Sequence, residues 1–181
     1  GIHPKTGKFF ALSNNDAIGW GASPEHDGSS ALIHFSESIC RNTPVEVLEP
    51  NTGMFFERVE LRTDSGGAGK YRGCLGLRRD IRFVSDGEFL TVMKKSKTRP
   101  WGLEGGLEPE ANTIIAFPGT DREMRMSTKR VPVSTGDRIS VLTAGGGGYG
   151  DPKTRDREKV RQDVIDELVS PEMARKIYGW G

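Results

Sequence analysis

Glu60-Leu61-Arg62-Thr63-Asp64-Ser65-Gly66-Gly67-Ala68-Gly69-Lys70-Tyr71-Arg72-Gly73-Cys74-Leu75-Gly76-Leu77-Arg78-Arg79 decides how the chain folds. Val59 and Leu61 alternate with polar residues as in a strand, Ile81 and Phe83 resume the alternation, and the glycines between them stop either strand from continuing. The stretch is a glycine-rich crossing between two strands. Glycine serves where backbone takes φ > 0 or where another group comes so close that a Cβ would obstruct it. The amides here are therefore candidates to grip an anion or a partner's carbonyls. A phosphate-binding loop needs Gly, four residues, then Gly-Lys-Ser/Thr opening a helix. Asp64 stands in the place of the first Gly, Tyr71 follows Gly69-Lys70, and strand-like sequence comes next. The nucleotide P-loop is excluded. The alternative is structural: a tight crossing in which Asp64 and Ser65 cap backbone amides.

A chain of 181 residues can bury one sizeable core. Its 26 basic and 25 acidic residues leave a formal charge of +1, so bulk electrostatics favour neither nucleic acid nor an anionic membrane. The 24 glycines have no collagen-like period and cluster in a few places, where they mark turns. Cys40 and Cys74 are too few for a disulfide framework and lack zinc-site spacing; they read as small buried apolar residues in a reducing compartment. No apolar run reaches membrane-span length and no signal segment opens the chain, so a cytoplasmic location is expected. The abrupt start at Gly1-Ile2-His3-Pro4, without Met, suggests a piece of a longer polypeptide.

The pattern predicts a mainly β fold, sandwich or barrel-like, closed by a C-terminal helical hairpin, hence α+β overall. A loop-rich segment fills residues 1–53, a β domain 54–150 and a helical pair 151–181. Asn42 to Glu49 reads as extended between Pro44 and Pro50. Strands are expected at Met54 to Arg62, with Phe55, Val59 and Leu61 on one side, then at Leu77 to Val84 and Glu88 to Lys94. Three more are expected at Asn112 to Phe117, Glu123 to Ser127 and Asp137 to Thr143. Asp86-Gly87 signals a hairpin between the second and third. Lys94 to Gly106 carries four cations before Trp101, an anion-binding lip or oligomer contact in one reading and a solvated loop ending in a sheet-stapling Trp in the other. Gly145-Gly146-Gly147-Gly148-Tyr149-Gly150 closes the last strand, and Asp151-Pro152 then fits a helix start. Val160, Val164, Ile165 and Leu168 share a helix face, and Ser170-Pro171 opens a second helix that Gly179 ends.

Chemistry-bearing groups are sparse. His3, His26 and His34 are far apart, His26-Asp27 is a weak metal pair, and no His follows His34 to complete a triad. Glu57 and Glu60 flank apolar strand positions and form a nominal carboxylate pair, unremarkable in a sequence so rich in charge. No catalytic residue and no metal ligand is assigned.

Asn42 to Glu49, Asp64 to Gly73, Pro100-Trp101-Gly102-Leu103 with Gly105-Gly106, Gly145 to Pro152 and the Glu172 to Gly179 ending together resemble the C-terminal part of the hydantoinase B/oxoprolinase family. The resemblance implies the B-type subunit of an ATP-dependent enzyme that opens a cyclic amide (hydantoin, 5-oxoproline or lactam) or carboxylates a ketone. There a phosphorylated intermediate turns an inert carbonyl into a reactive one. It implies an A-type partner subunit holding ATP with Mg2+, and a divalent metal in the N-terminal portion of the B-type subunit, absent from this sequence. None is expected on this chain alone, and neither nucleic acid nor membrane is an expected partner. Cys74 departs from the family pattern, which has another Gly there.

Under that resemblance Asp64, Ser65, Gly66, Gly67, Lys70 and Arg72, with Gly146, Gly147 and Tyr149, are the candidates to lie near a small-molecule substrate or its phosphate. Lys70 and Arg72 would supply positive charge. The rival reading is a non-catalytic scaffold and assembly domain. It differs observably, because its glycine loops would be buried against protein and no cavity would contain Lys70, Arg72 or Asp64.

Overall fold

The computed structural model describes residues 1–33 and 43–181, so His34, Cys40 and Asn42 lie outside the described residues. Helix α1 (Val45–Asn51) precedes seven strands: β1 (Met54–Leu61), β2 (Leu77–Phe83), β3 (Gly87–Thr91), β4 (Thr113–Ala116), β5 (Met124–Met126), β6 (Lys129–Val133) and β7 (Arg138–Leu142). A short 3-10 turn (Pro152–Thr154) leads into α2 (Arg157–Ile165) and α3 (Pro171–Tyr178). The strands make a five-stranded sheet of order β1-β2-β7-β4-β5 and a two-stranded sheet of β3 and β6, with every pairing antiparallel. The α+β architecture expected from the sequence is present.

Alternation drives the packing. Leu77, Arg79, Ile81 and Phe83 of β2 are buried while the residues between them are partly exposed. Ile81 and Phe83 join Met54, Ile114, Ile139 and Val141 from the large sheet and Val131 and Val133 from the small one in a single core. The two sheets therefore close on each other as an open sandwich. Arg79 is tolerated inside because Asp16 lies 2.7 Å from its Nη1 and the Phe56 ring lies under its guanidinium.

Four expectations need correction. Val45 to Asn51 is helical, not extended. Pro44 sits at its N-cap, where a missing N–H costs nothing. Leu48 is buried, and the Asn51 and Thr52 side chains donate to the carbonyls of Val47 and Leu48. Phe55 does not share a side with Val59 and Leu61. The register slips between Phe56 and Arg58, so Phe55 pairs with Arg82 on the outer face, whereas Val59 and Leu61 pair with Arg79 and Leu77. Asp86-Gly87 does not close a hairpin, since β2 and β3 belong to different sheets. Asp86 instead accepts from Thr135 N at 2.8 Å, tying one inter-sheet crossing to another. Finally β6 went unread because Pro132 interrupts it, and Pro is accommodated there in a two-stranded ribbon with a free edge.

Beyond the sheets, four segments lacking regular structure pack backbone against backbone: residues 18–29, 65–76, 101–110 and 144–150. Gly67 N donates to Gly146 O, Gly146 N to Cys74 O, Cys74 N to Trp20 O, Gly148 N to Leu107 O and Leu103 N to Gly148 O, all at 2.9–3.1 Å. Glycine is required for this closeness. A Cβ on Gly73 would stand 1.9 Å from the Gly146 carbonyl oxygen, and one on Gly147 would stand 2.0 Å from that of Trp101.

Gly73→Ala should destabilise the protein by more than about 3 kcal/mol, because backbone on both sides cannot yield. Gly21→Ala, where the nearest neighbour, the Gly147 carbonyl oxygen, lies at 3.5 Å, should stay within about 0.5 kcal/mol. Chemical denaturation of the two variants checks the contrast; equal losses would mean that the close approach is not a constraint.

Candidate functional site

The glycine crossing is anchored from several directions. Asp64, at φ 63°, accepts from Ser170 N at 2.7 Å and donates its own amide to Leu168 O. Ser65 Oγ donates to Arg62 O and accepts from Gly76 N at 2.9 Å. Both residues cap backbone groups. Cys74 is fully buried, its thiol donating to Ile18 O at 3.3 Å, and burial pushes it up to about 11. The side chain fits because residue 19, beside it, is glycine: a Cβ on Gly19 would be 2.7 Å from the sulfur.

Arg72 enters a group of four charges, with Arg72, Arg155 and Asp163 buried and Asp27 partly exposed. Arg155 grips Asp27 with both terminal nitrogens, at 2.7 and 2.9 Å, and its Nη2 lies 2.8 Å from Asp163 Oδ2. That last contact is off the line of a hydrogen bond, and Asp163 Oδ2 has no hydrogen-bond partner. Arg72 Nε is 3.5 Å from Asp163 Oδ1, its Nη1 donates to Gly73 O and its amide donates to Asp27 Oδ1 at 2.7 Å. Burial alone would raise the Asp27 carboxyl, but the hydrogen bonds and charges of Arg155 and Arg72 hold it below the usual carboxylate range. Tyr178, against the same group, is pushed up to about 12 by burial.

This quartet also corrects the helical stripe. Val160 and Asp163 are the buried residues of α2, while Ile165 is 56% exposed and Leu168 falls beyond the helix end. An acidic residue on an inward face looks like a solvated position in sequence, and only the arrival of Arg155 and Arg72 reverses that. The second helix follows expectation, with Ser170 Oγ accepting from Met173 N and Gly179 in the left-handed region at φ 63°.

A cavity of about 270 Å³ opens between residues 18–22, Lys95 to Leu103 and the glycine run. Gly146 and Gly147 line it; Asp64, Ser65, Gly66, Gly67, Lys70, Arg72 and Tyr149 do not. Gly66 and Gly67 face backbone, and Tyr149 exchanges backbone bonds with Tyr71. Lys70 is exposed, with its ammonium 5.6 Å from the Tyr71 ring centre. Trp101 does not staple the sheet. It is 68% exposed at the cavity rim with Lys95 Nζ 5.7 Å from its ring centre. Sequence reading missed Ile18 and Gly21 as lining residues. It also missed Asn112, whose buried side chain links Lys94 O to Ala144 N.

Among the described residues no group of three or more His, Cys, Asp or Glu is arranged to hold a metal ion. His3 is buried, accepting from the amides of Lys5 and Thr6 while its Nε2 meets Pro50 O at 2.9 Å; His26 lies in an exposed turn. No helix among them is long and apolar enough to cross a membrane.

The quartet sets a pH dependence. A carboxyl depressed in the folded state adds stability above its unfolded value near pH 4, and that stability is lost as pH falls through the folded value. Asp27→Asn should therefore lower stability at pH 7 and flatten its decline below about pH 4. Asp163→Ala should cost about 3–5 kcal/mol by leaving buried guanidinium charge uncompensated. Urea titrations across pH check both.

The sequence profile of hydantoinase B/oxoprolinase matches residues 1–152. An uncharacterised protein of Methanocaldococcus jannaschii is 36% identical over 137 residues, covering 76% of this chain and 24% of that protein. The caprolactamase subunit beta of Pseudomonas jessenii is 30% identical over 141 residues, covering 75% of this chain and 24% of the subunit. Among solved structures, nucleotide-free acetone carboxylase superposes with a TM-score of 0.78 over 91% of this chain and 26% of its own, at 21% identity, a likeness of fold. The chain thus spans about a quarter of the length of these relatives. With the profile covering most of its residues, the chain belongs to the hydantoinase B/oxoprolinase family.

Proposed function

We propose that this chain is the C-terminal portion of a B-type subunit in an ATP-dependent enzyme that hydrolyses a cyclic amide or carboxylates a ketone. Within that enzyme it serves as scaffold and assembly surface. The observation that carries the scaffold role is the inward use of the glycine loops: their amides bond to one another, and Lys70, Arg72 and Asp64 lie outside the cavity. Support for the enzyme class comes from relatives named as a caprolactamase subunit and an acetone carboxylase. ATP with Mg2+ belongs on an A-type partner subunit and a divalent metal on the rest of the B-type subunit, reached through exposed apolar residues such as Val59 and Val92. A second reading, direct contribution to the site, draws on Gly146 and Gly147 at the cavity and on the exposed ammonium of Lys70 beside Tyr71.

In the reconstituted complex, Lys70→Ala should leave substrate-dependent ATP hydrolysis within about twofold, whereas Val59→Asp should reduce co-elution of the subunits and activity in parallel. A loss near 10²-fold in Lys70→Ala, the size expected on removing a charge that stabilises a reacting group, would replace the scaffold role by the direct one. Bicarbonate dependence of turnover separates ketone carboxylation from amide hydrolysis.

A further inference from the structure

The glycine run uses its sides in rotation. Gly145 N donates to Glu110 O and Gly148 N to Leu107 O, so these two residues face the 101–110 segment. Gly146 N donates to Cys74 O and Tyr149 N to Tyr71 O, facing the 65–76 segment. A pleated strand addresses two neighbours; a run that addresses a third side every third residue has the period of a polyproline II helix. The third side belongs to Ala144 and Gly147, both of which line the cavity.

That side is incompletely bonded. From Thr143 to Gly150 every amide has an acceptor except that of Gly147, which has none among the described residues. The carbonyls of Ala144 and Gly145, also at the cavity, receive no donor among the described residues. Buried backbone donors without partners are rare and cost about 1–3 kcal/mol each. Gly147 is buried, and the rim above it is apolar and exposed, at Ile18 40%, Trp101 68% and Leu103 52%.

We propose that the cavity is the seat of one more extended backbone segment, drawn from another part of the same longer polypeptide. Its carbonyl accepts from Gly147 N–H, its amides donate to Ala144 and Gly145, and its side chains lie between Trp101, Leu103 and Ile18. One donor at Gly147 and acceptors three and two residues before it suit a polypeptide, and glycine walls let main chain approach as closely as the four segments already present. Relatives matched by this chain are about four times longer, so most of the polypeptide that could fill the seat lies outside these residues. This inference rests on the scaffold role.

Hydrogen–deuterium exchange of the full-length subunit in its complex, read at single residues, tests it. With no small molecule added, Gly147 should be protected within about tenfold of its bonded neighbours Gly146 and Gly148. Leu103→Asp changes an exposed side chain whose backbone bonds to Gly148 and Gly150 do not depend on it. It should release the Gly147 amide by about 100-fold while Ile139 and Val141 in β7 stay protected. Free exchange at Gly147 in the wild-type complex would overturn the proposal. Protection gained only with added cyclic amide or ketone would also overturn it, in favour of a ligand cavity, and protection that varies with protein concentration would assign the seat to a second copy. Activity of the complex is measured separately, so loss of this seat and loss of the enzymatic assignment are told apart.

Discussion

Main chain pressed against main chain is the constraint on which the rest depends. Where the Gly146 carbonyl oxygen lies 1.9 Å from the site of a Gly73 Cβ, no side chain exists that could be accommodated by a rotamer change. Such packing buries little apolar surface, so its stability comes from hydrogen bonds worth about 1 kcal/mol each net. Against that stands the extra chain entropy of glycine, about 0.5–1 kcal/mol per residue relative to Ala. The two terms nearly cancel. The bundle therefore cannot stand alone and has to be clamped by elements with conventional cores.

Two clamps are present. On one side β1, β2 and β7 deliver the ends of two bundle segments from a sheet whose core contains Ile81, Ile139 and Val141. On the other, Val160, Ala174 and Tyr178 of the C-terminal helices, with Val169 from the turn between them, pack against Ala68. The charge quartet crosses the same boundary, with Asp27 from the N-terminal segment, Arg72 from the crossing, and Arg155 and Asp163 from the C-terminal part. Buried ion pairs add little net stability over apolar packing. Their value here is geometric, because four charges that must all be matched admit one arrangement of three segments distant in sequence.

These features explain what was legible in the sequence. The strands were, since period-2 alternation acts locally, and so were Ser170-Pro171 and Gly179, whose capping chemistry needs no distant partner. The glycine clusters were visible as close approaches, but what they approach was not, because glycine has no side chain to encode a partner. Asp163 and Asn112 were invisible for the opposite reason: their side chains are polar, and long-range contacts with Arg72 and Ala144 help bring them inside. The bulge after Phe56 moved Phe55 to the other face without any sequence mark beyond an ordinary Glu57. That residue accepts from Arg82 and Arg138 at the slip. Helix α1 escaped because two prolines signal extended chain locally, whereas the Asn51 and Thr52 side chains and the burial of Leu48 outweigh that bias.

The balance of buried charge also decides whether the crossing can serve a reacting phosphate. For Arg72 to present its guanidinium to a ligand it would have to leave Asp163, whose side chain is 7% exposed and whose second oxygen already lacks a hydrogen-bond partner. Asp163 would keep Arg155 at 2.8 Å but lose its second cation, and weakening a buried pairing has a cost that one charge-assisted contact to the ligand would have to repay. Lys70 is free of that penalty, being exposed beside Tyr71, yet it lies away from the cavity. A charge in open solvent acts through a high dielectric and stabilises a transition state weakly. Positive charge near the crossing is thus either already committed to holding the chain together or placed where water weakens it, which is the arrangement of a scaffold that positions other groups.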